Sequence, residues 1–198
     1  MTAKERFLKY VKYDTTSDEN SSSFPSTEGQ KVLLKKLKNE LESFGLKADM
    51  DENGYVTAVI PATKKGLKRI CFISHVDTSP AVSGKNVNPQ FVNYDGGDIT
   101  LKNGIKITVN DNPYLSEYVG KELIVTDGET LLGADDKAGV AEIMTAAEIL
   151  ANDKSIMHGD VLIAFTPDEE IGRGTDKFDM KRFGADFGYT IDGDKLGG

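Results

Sequence analysis

Apolar residues recur at helical spacing in three stretches of the chain and form short unbroken runs in three others. Phe7, Leu8 and Val11 share one side of a helix predicted over residues 3–13, opened by a capping box at Thr2 and Glu5. A polar, serine-rich loop over residues 14–26 follows. Val32, Leu33, Leu37, Leu41 and Phe44 then mark a second helix, capped by Ser26 or Thr27 and ended by Gly45. Residues 46–61 read as a hairpin turning at Glu52-Asn53-Gly54, because Asn-Gly tolerates the positive φ of tight turns. A third helix starts at Lys137 and carries Val140, Ile143, Met144, Ala147 and Leu150 on its buried side.

The unbroken runs cover residues 69–74, 160–166 and 187–191, each bulky and bounded by turn residues, as strands buried in a parallel sheet are. Residues 80–130 follow neither pattern. Gly, Asn and Asp are dense there, and β-like pieces appear only at residues 105–109 and 123–125. So long a connection predicts a β-rich insertion rather than a bare loop. The order of elements predicts an α/β fold: a mainly parallel sheet flanked by helices, with the insertion shaping one side.

Composition narrows the function classes. The chain has 198 residues and 38% hydrophobic content, enough for one soluble domain or a large part of one. Its net charge of -8 argues against nucleic-acid binding. No apolar run is long enough for a signal peptide or a membrane span, and a lone cysteine, Cys71, suits a reducing compartment. The expected location is the cytoplasm, and Cys71, in mid-strand, is expected to be a small buried apolar residue.

The chemistry sits at the strand ends. His75 and Asp77 follow the first run, Glu169 and Glu170 the second, and Asp192 the third, while Asp135-Asp136 stands at the start of the third helix. Ligands of open α/β sheets bind beyond the carboxyl ends of the strands, so these groups should converge in one crevice. In His75-Val76-Asp77 the alternation of a strand puts imidazole and carboxylate on one side, where the carboxylate can fix the tautomer of a metal-bound histidine. Asp135-Asp136 has a simpler reading as a helix-dipole partner, and Asp192-Gly193-Asp194 as a turn. Glu169-Glu170, beside Asp168, repel one another unless a cation or solvent compensates. His158, before Gly159, reads as a surface turn residue. One imidazole among many carboxylates suits a catalytic divalent centre, or two ions sharing a carboxylate, rather than structural zinc. One of the paired glutamates would ligate and the other accept a proton from water, which makes hydrolysis the leading reaction class.

Three motifs carry a resemblance. His75-Val76-Asp77-Thr78-Ser79-Pro80, residues 131–139 (Leu-Leu-Gly-Ala-Asp-Asp-Lys-Ala-Gly) and residues 165–172 (Phe-Thr-Pro-Asp-Glu-Glu-Ile-Gly) resemble the aminotripeptidases of the co-catalytic dizinc peptidases, a family that includes aminoacylases and carboxypeptidases. The resemblance implies a zinc-exopeptidase-like α/β/α sandwich holding two zinc ions per full-length subunit. It places His75 and Asp192 on one zinc, Asp135 as the bridge and Glu170 on the other zinc. It makes Glu169 the general base, Asp77 the residue that orients His75, and the Asp135–Asp136 peptide bond cis. The implied reaction releases the N-terminal residue of tripeptides, in a protein that binds neither nucleic acid nor membrane and whose full-length form is a homodimer.

Members of that family are about twice this length, as two domains require. The resemblance therefore implies that residues 1–198 are the N-terminal part of the catalytic domain, ending near a domain junction at Gly197-Gly198. A lid and dimerisation domain, and a C-terminal histidine for the second zinc, would lie beyond it. A fragment so cut is expected to hold one zinc or none and to be inactive. The alternatives are an N-acyl amino acid deacylase of the same superfamily and a noncatalytic domain that keeps a partial metal site.

Overall fold

The three periodic stretches form helices α1 (Ala3–Tyr10), α2 (Glu28–Ser43) and α3 (Ala134–Asn152) in the computed structural model, which describes residues 1–193. Gly197-Gly198 and Asp194 lie outside the described residues. Thr2 and Glu5 close the capping box that opens α1. At α2, Thr27 is the N-cap residue, but its side chain makes no cap hydrogen bond. The hydroxyls expected to cap are used elsewhere: Thr27 Oγ1 donates to the carbonyl of Thr16 and Ser26 Oγ to Asp168.

The strands are β1 (Lys47–Met50), β2 (Val56–Ile60), β3 (Ile70–His75), β4 (Gln90–Tyr94), β5 (Ile99–Thr100), β6 (Lys106–Ile107), β7 (Lys121–Val125), β8 (Val161–Thr166) and β9 (Phe187–Thr190). The main sheet has the order β1-β2-β8-β3-β9. β3 runs parallel to both β8 and β9, as predicted, but β9, expected to be buried, is exposed along its length because it is the last strand of the sheet; the hairpin strands β1 and β2 pair antiparallel and join through β8. The sheet is mixed in that β2 runs against the other four strands: the tight turn after β1 reverses the chain and no crossover restores its direction.

One face of the sheet holds most of the core. Leu33, Leu37 and Leu41 of α2 and Val140 and Met144 of α3 cluster with Val161, Ile163 and Phe165 of β8, every one of them buried. Burial of such a side chain contributes roughly 1.5–3 kcal/mol. The other face is covered more thinly, by Phe178 and by Phe183 of a one-turn helix, α4 (Met180–Phe183), over Cys71, Leu162 and Ala164. The sandwich is lopsided. Within the connection from β3 to α3, β4 pairs with β7 and β5 with β6, around a small separate core of Tyr94, Ile99, Leu101, Leu115 and Val125.

The parallel trio fixes where the chemistry falls. His75 is in register with Thr166, and Ile73 with Thr190, so the segments that follow β3, β8 and β9 leave the sheet at one edge. There, Asp135 and Asp136 have non-helical backbone angles, so the regular helix begins at Lys137.

Candidate metal centre

His75 closes β3 with its side chain 2% exposed. Its Nδ1 lies 3.2 Å from Asp77 Oδ1 and 3.1 Å from the Asp77 carbonyl. The other nitrogen, Nε2, meets the opening of the crevice: Asp135 Oδ1 at 2.9 Å, Glu169 Oε2 at 3.8 Å and Asp192 Oδ1 at 4.0 Å. Ligand atoms of His75, Asp135 and Asp192 all fall within 4.8 Å of one another. Glu170 stands apart from that trio, but its charge interacts with Asp135, His75 and Asp77.

Asp77 does more than face the imidazole. Fully buried, it accepts the backbone N–H of Glu169 at 3.0 Å on Oδ1 and that of Glu170 at 3.1 Å on Oδ2. One carboxylate thus ties the end of β3 to the turn after β8. Asp168, just before the glutamates, has a φ of 56°. A non-glycine residue held there costs roughly 1 kcal/mol or more unless its surroundings enforce it. Here they do: the buried carboxylate accepts from Ser26 N at 2.8 Å, from Ser26 Oγ and from Gln30 Nε2 at 2.7 Å, while Asp168 N–H donates to Gln30 Oε1 at 3.1 Å.

The Asp135–Asp136 peptide bond is cis, and the two carboxylates are placed differently. Asp135 is exposed at the crevice, whereas Asp136 turns inward, accepting from the N–H of His75 and from the N–H of Gly139, each at 3.2 Å. Asp135 thus faces the crevice, and Asp136 anchors the helix start.

Electrostatics follow from crowding acids around a buried base. Burial alone would lower His75, but the hydrogen bond and charge of Asp77, with Asp136 and Asp135, outweigh it and hold the imidazole up to about 10. Asp136 is pushed up to about 7, first by burial and then by Asp192, against the pull of His75 and Ser74. Burial, then the charge of Asp135, raises Glu170. Lys137 is brought down to about 8 by burial, opposed by Asp14 and Asp77, and its ammonium donates to the Tyr13 carbonyl at 2.8 Å.

Of the residues singled out in the sequence, the structure gathers His75, Asp77, Asp135, Glu169 and Asp192 around one imidazole and sets Glu170 on the neighbouring wall with Ser79, Pro80 and Ala81. His158 is at the other end of β8, half-buried, with Nδ1 against the Gly159 carbonyl. The sequence reading missed the hold of Asp136 on the His75 amide and the inward roles of Lys137 and Asp168. No periodicity marks them, because each is a buried polar residue next to a functional one.

The donor set fits a divalent ion: an imidazole nitrogen aimed at two carboxylates, its other nitrogen fixed by an acid, and solvent access on the carboxylate side. The fold is similar to that of solved α/β peptidases. The chain superimposes on aminopeptidase PepT of Bacillus cereus with a TM-score of 0.68 at 26% identity, over 97% of this chain and 43% of that one. A tripeptidase of Staphylococcus aureus gives 0.67 at 25% identity, over 96% and 43%. An M20 family metallo-carboxypeptidase of Sulfolobus solfataricus shares the fold, with a TM-score of 0.57 over 96% of this chain and 37% of that one at 18% identity.

No family model matches the chain. In sequence it is homologous to peptidase T: it is 60% identical to peptidase T of Caldanaerobacter subterraneus over 198 residues, 98% of this chain and 48% of the relative. Peptidase T of Clostridium acetobutylicum is 56% identical, and that of Geobacillus kaustophilus 54%, over the same shares. The chain spans about half the length of the curated relatives it matches. The family read from the three motifs is the one the comparisons return.

Proposed function

We propose that the chain carries the metal-binding half of a zinc-dependent aminotripeptidase, which releases the N-terminal residue of tripeptides. The observation that supports this most is the buried His75, with Asp77 on one nitrogen and Asp135 and Asp192 facing the other. In this reading His75, Asp135 and Asp192 hold one zinc, and Asp135 and Glu170 contribute to a second. Bound divalent metal would polarise the scissile carbonyl and make water more acidic. The chain's own part is to set the proton path. Asp77 keeps the imidazole lone pair pointing into the crevice. Glu169, 54% exposed and 3.8 Å from Nε2, is placed to take a proton from the attacking water and pass it to the leaving amine.

No helix among the described residues is long and apolar enough to cross a membrane. The proposal takes the full-length protein to be a cytoplasmic homodimer acting on small peptides, as the resemblance to peptidase T implies.

The test uses variants in a longer relative first shown to turn over tripeptides, such as peptidase T of Caldanaerobacter subterraneus, at the positions equivalent to Glu169 and Glu170. Glu169→Gln should abolish turnover and keep the metal content, because a base can be lost without losing a ligand. Glu170→Gln should lower the metal content. The reverse pattern exchanges the two roles. Hydrolysis of N-acyl amino acids with no action on tripeptides would replace the reading with a deacylase.

A further inference from the structure

The glutamate pair after β8 hangs between two carboxylates that touch neither of its side chains. Asp77 holds the amides of Glu169 and Glu170 from the β3 side. Asp168 holds the turn from the opposite side, through Ser26 and Gln30 at the start of α2. Ser26 ends the loop whose residues Asp18, Glu19 and Asn20 share a pocket wall with Glu170. That loop is itself fastened at several points: Ser26 Oγ accepts the N–H of Asp18 at 3.0 Å, and Arg173, just beyond the glutamates, donates to the carbonyls of Ser21 and Ser23 at 3.2 and 3.0 Å. Its far end is paired with the β3 extension, where Ser17 N–H donates to the Thr78 carbonyl at 3.0 Å.

We infer that Asp168 is a positioning residue: by locking its own left-handed backbone to Ser26 and Gln30, it turns the consecutive N–H groups of Glu169 and Glu170 onto Asp77 and makes the glutamate pair and the 17–26 loop one rigid unit. Three features carry this. The carboxylate is fully buried, and every donor it faces belongs to Ser26 or Gln30. The positive φ sits at the residue where the chain must reverse to bring two successive amides to one acceptor. Gln30, itself fully buried, addresses Asp168 with both ends of its amide, donating to the side chain and accepting from the backbone, so the contact reads conformation as well as charge. The inference rests on the proposed roles of Glu169 and Glu170 only for its consequence, since the linkage concerns their backbone.

Amide hydrogen exchange on the 198-residue chain tests it without any assay of activity. Asp168→Asn places an NH2 group among donors and should speed exchange of the Glu169 and Glu170 amides at least tenfold, with less than a twofold change at Leu37 and Ile163 in the core. Adding Gln30→Glu supplies acceptors for both the new NH2 group and the backbone N–H of residue 168, at unchanged net charge, and should restore protection. Ser26→Ala, a milder loss of one donor, should show the same localised effect at smaller size, which keeps the test usable if Asp168→Asn does not fold. Wild-type exchange at residues 169 and 170 in the folded variants would overturn the inference. So would acceleration shared equally by the core amides, or failure of Gln30→Glu to rescue. Failure of the peptidase reading would leave all of these rates unchanged.

Discussion

Asp77 lies 3.2 Å from Nδ1 of His75 through the same oxygen that accepts the Glu169 amide at 3.0 Å. The acid that orients the imidazole is thus also the anchor of the glutamate turn, and the two halves of the site cannot shift independently.

The first expected consequence concerns metal affinity. Asp77→Asn keeps the shape but removes the charge that fixes the imidazole and gives it basicity. Loss of such an outer partner costs about 10–100-fold in affinity. Competition titration with a chelator should show that drop for zinc; affinity within twofold of wild type would mean that Asp77 serves only the backbone.

Metal binding should also expel protons. In the metal-free chain His75 is held up to about 10, so at pH 7 it is an imidazolium and must lose its proton before Nε2 can ligate. A raised histidine favours the protonated, metal-free state below that value, so zinc affinity should climb by roughly tenfold per pH unit between about 7 and 9 if one proton is displaced. Titration calorimetry at pH 7 in two buffers of different ionisation enthalpy measures the release directly. A result of no protons released would show that the imidazole is already neutral.

Helix propensity gives the wrong sign at Gly139. Alanine is better than glycine in a helix interior by about 1 kcal/mol, so Gly139→Ala would ordinarily stabilise α3. A Cβ at this position would lie 2.4 Å from the Ile191 carbonyl oxygen, 2.5 Å from Asp136 Oδ1 and 2.6 Å from Ser74 Oγ. Overpacking of that kind costs about 1–3 kcal/mol. Gly139→Ala should therefore lower the melting temperature of the metal-free chain and, by displacing the backbone next to Asp192, weaken zinc binding. A raised melting temperature would refute the close packing of α3 on the end of β9.

These cases show what the chain reveals on its own. The helices and the buried strands were legible because a 3.6-residue period and short apolar runs report which side faces the core, and Leu33, Leu37 and Leu41 are buried as that pattern requires. The converging acids were legible because β3, β8 and β9 are parallel and end at one edge. The antiparallel entry of β2 was not, since apolar content does not encode strand direction. Nor was the capping of α2: Ser26 has the right residue type for a cap, but its hydroxyl goes to a partner 142 positions away, and propensity sees only near neighbours. Asp168 was hidden for the same reason. The two residues after it are acids, yet the partners of its carboxylate in space are all donors.

The last prediction is that the 198-residue chain, expressed by itself, does not hydrolyse tripeptides even with zinc in excess. In the proposed reading His75, Asp135 and Asp192 would give one ion three protein ligands, but a second would draw only Asp135 and Glu170 from these residues, and a two-ligand site is weak. The relatives are about twice as long, so any substrate-aligning groups in the unmatched half of their length have no counterpart in these residues. Positioning alone can contribute roughly 7–11 kcal/mol to lowering a barrier. The chain also shows apolar surface beside that edge: Phe187 and Tyr189 of β9 are 46% and 55% exposed, and Phe72, Ile143, Leu150 and Ile191 line an open groove nearby. Covered surface is the rule for such patches, so some self-association should accompany the missing activity in size-exclusion chromatography. The assay is release of the N-terminal residue from a tripeptide panel, with Caldanaerobacter peptidase T as the positive control. Turnover within tenfold of that control would show that His75, Asp135, Glu169, Glu170 and Asp192 suffice, and the two-ligand account of the second ion would have to be abandoned.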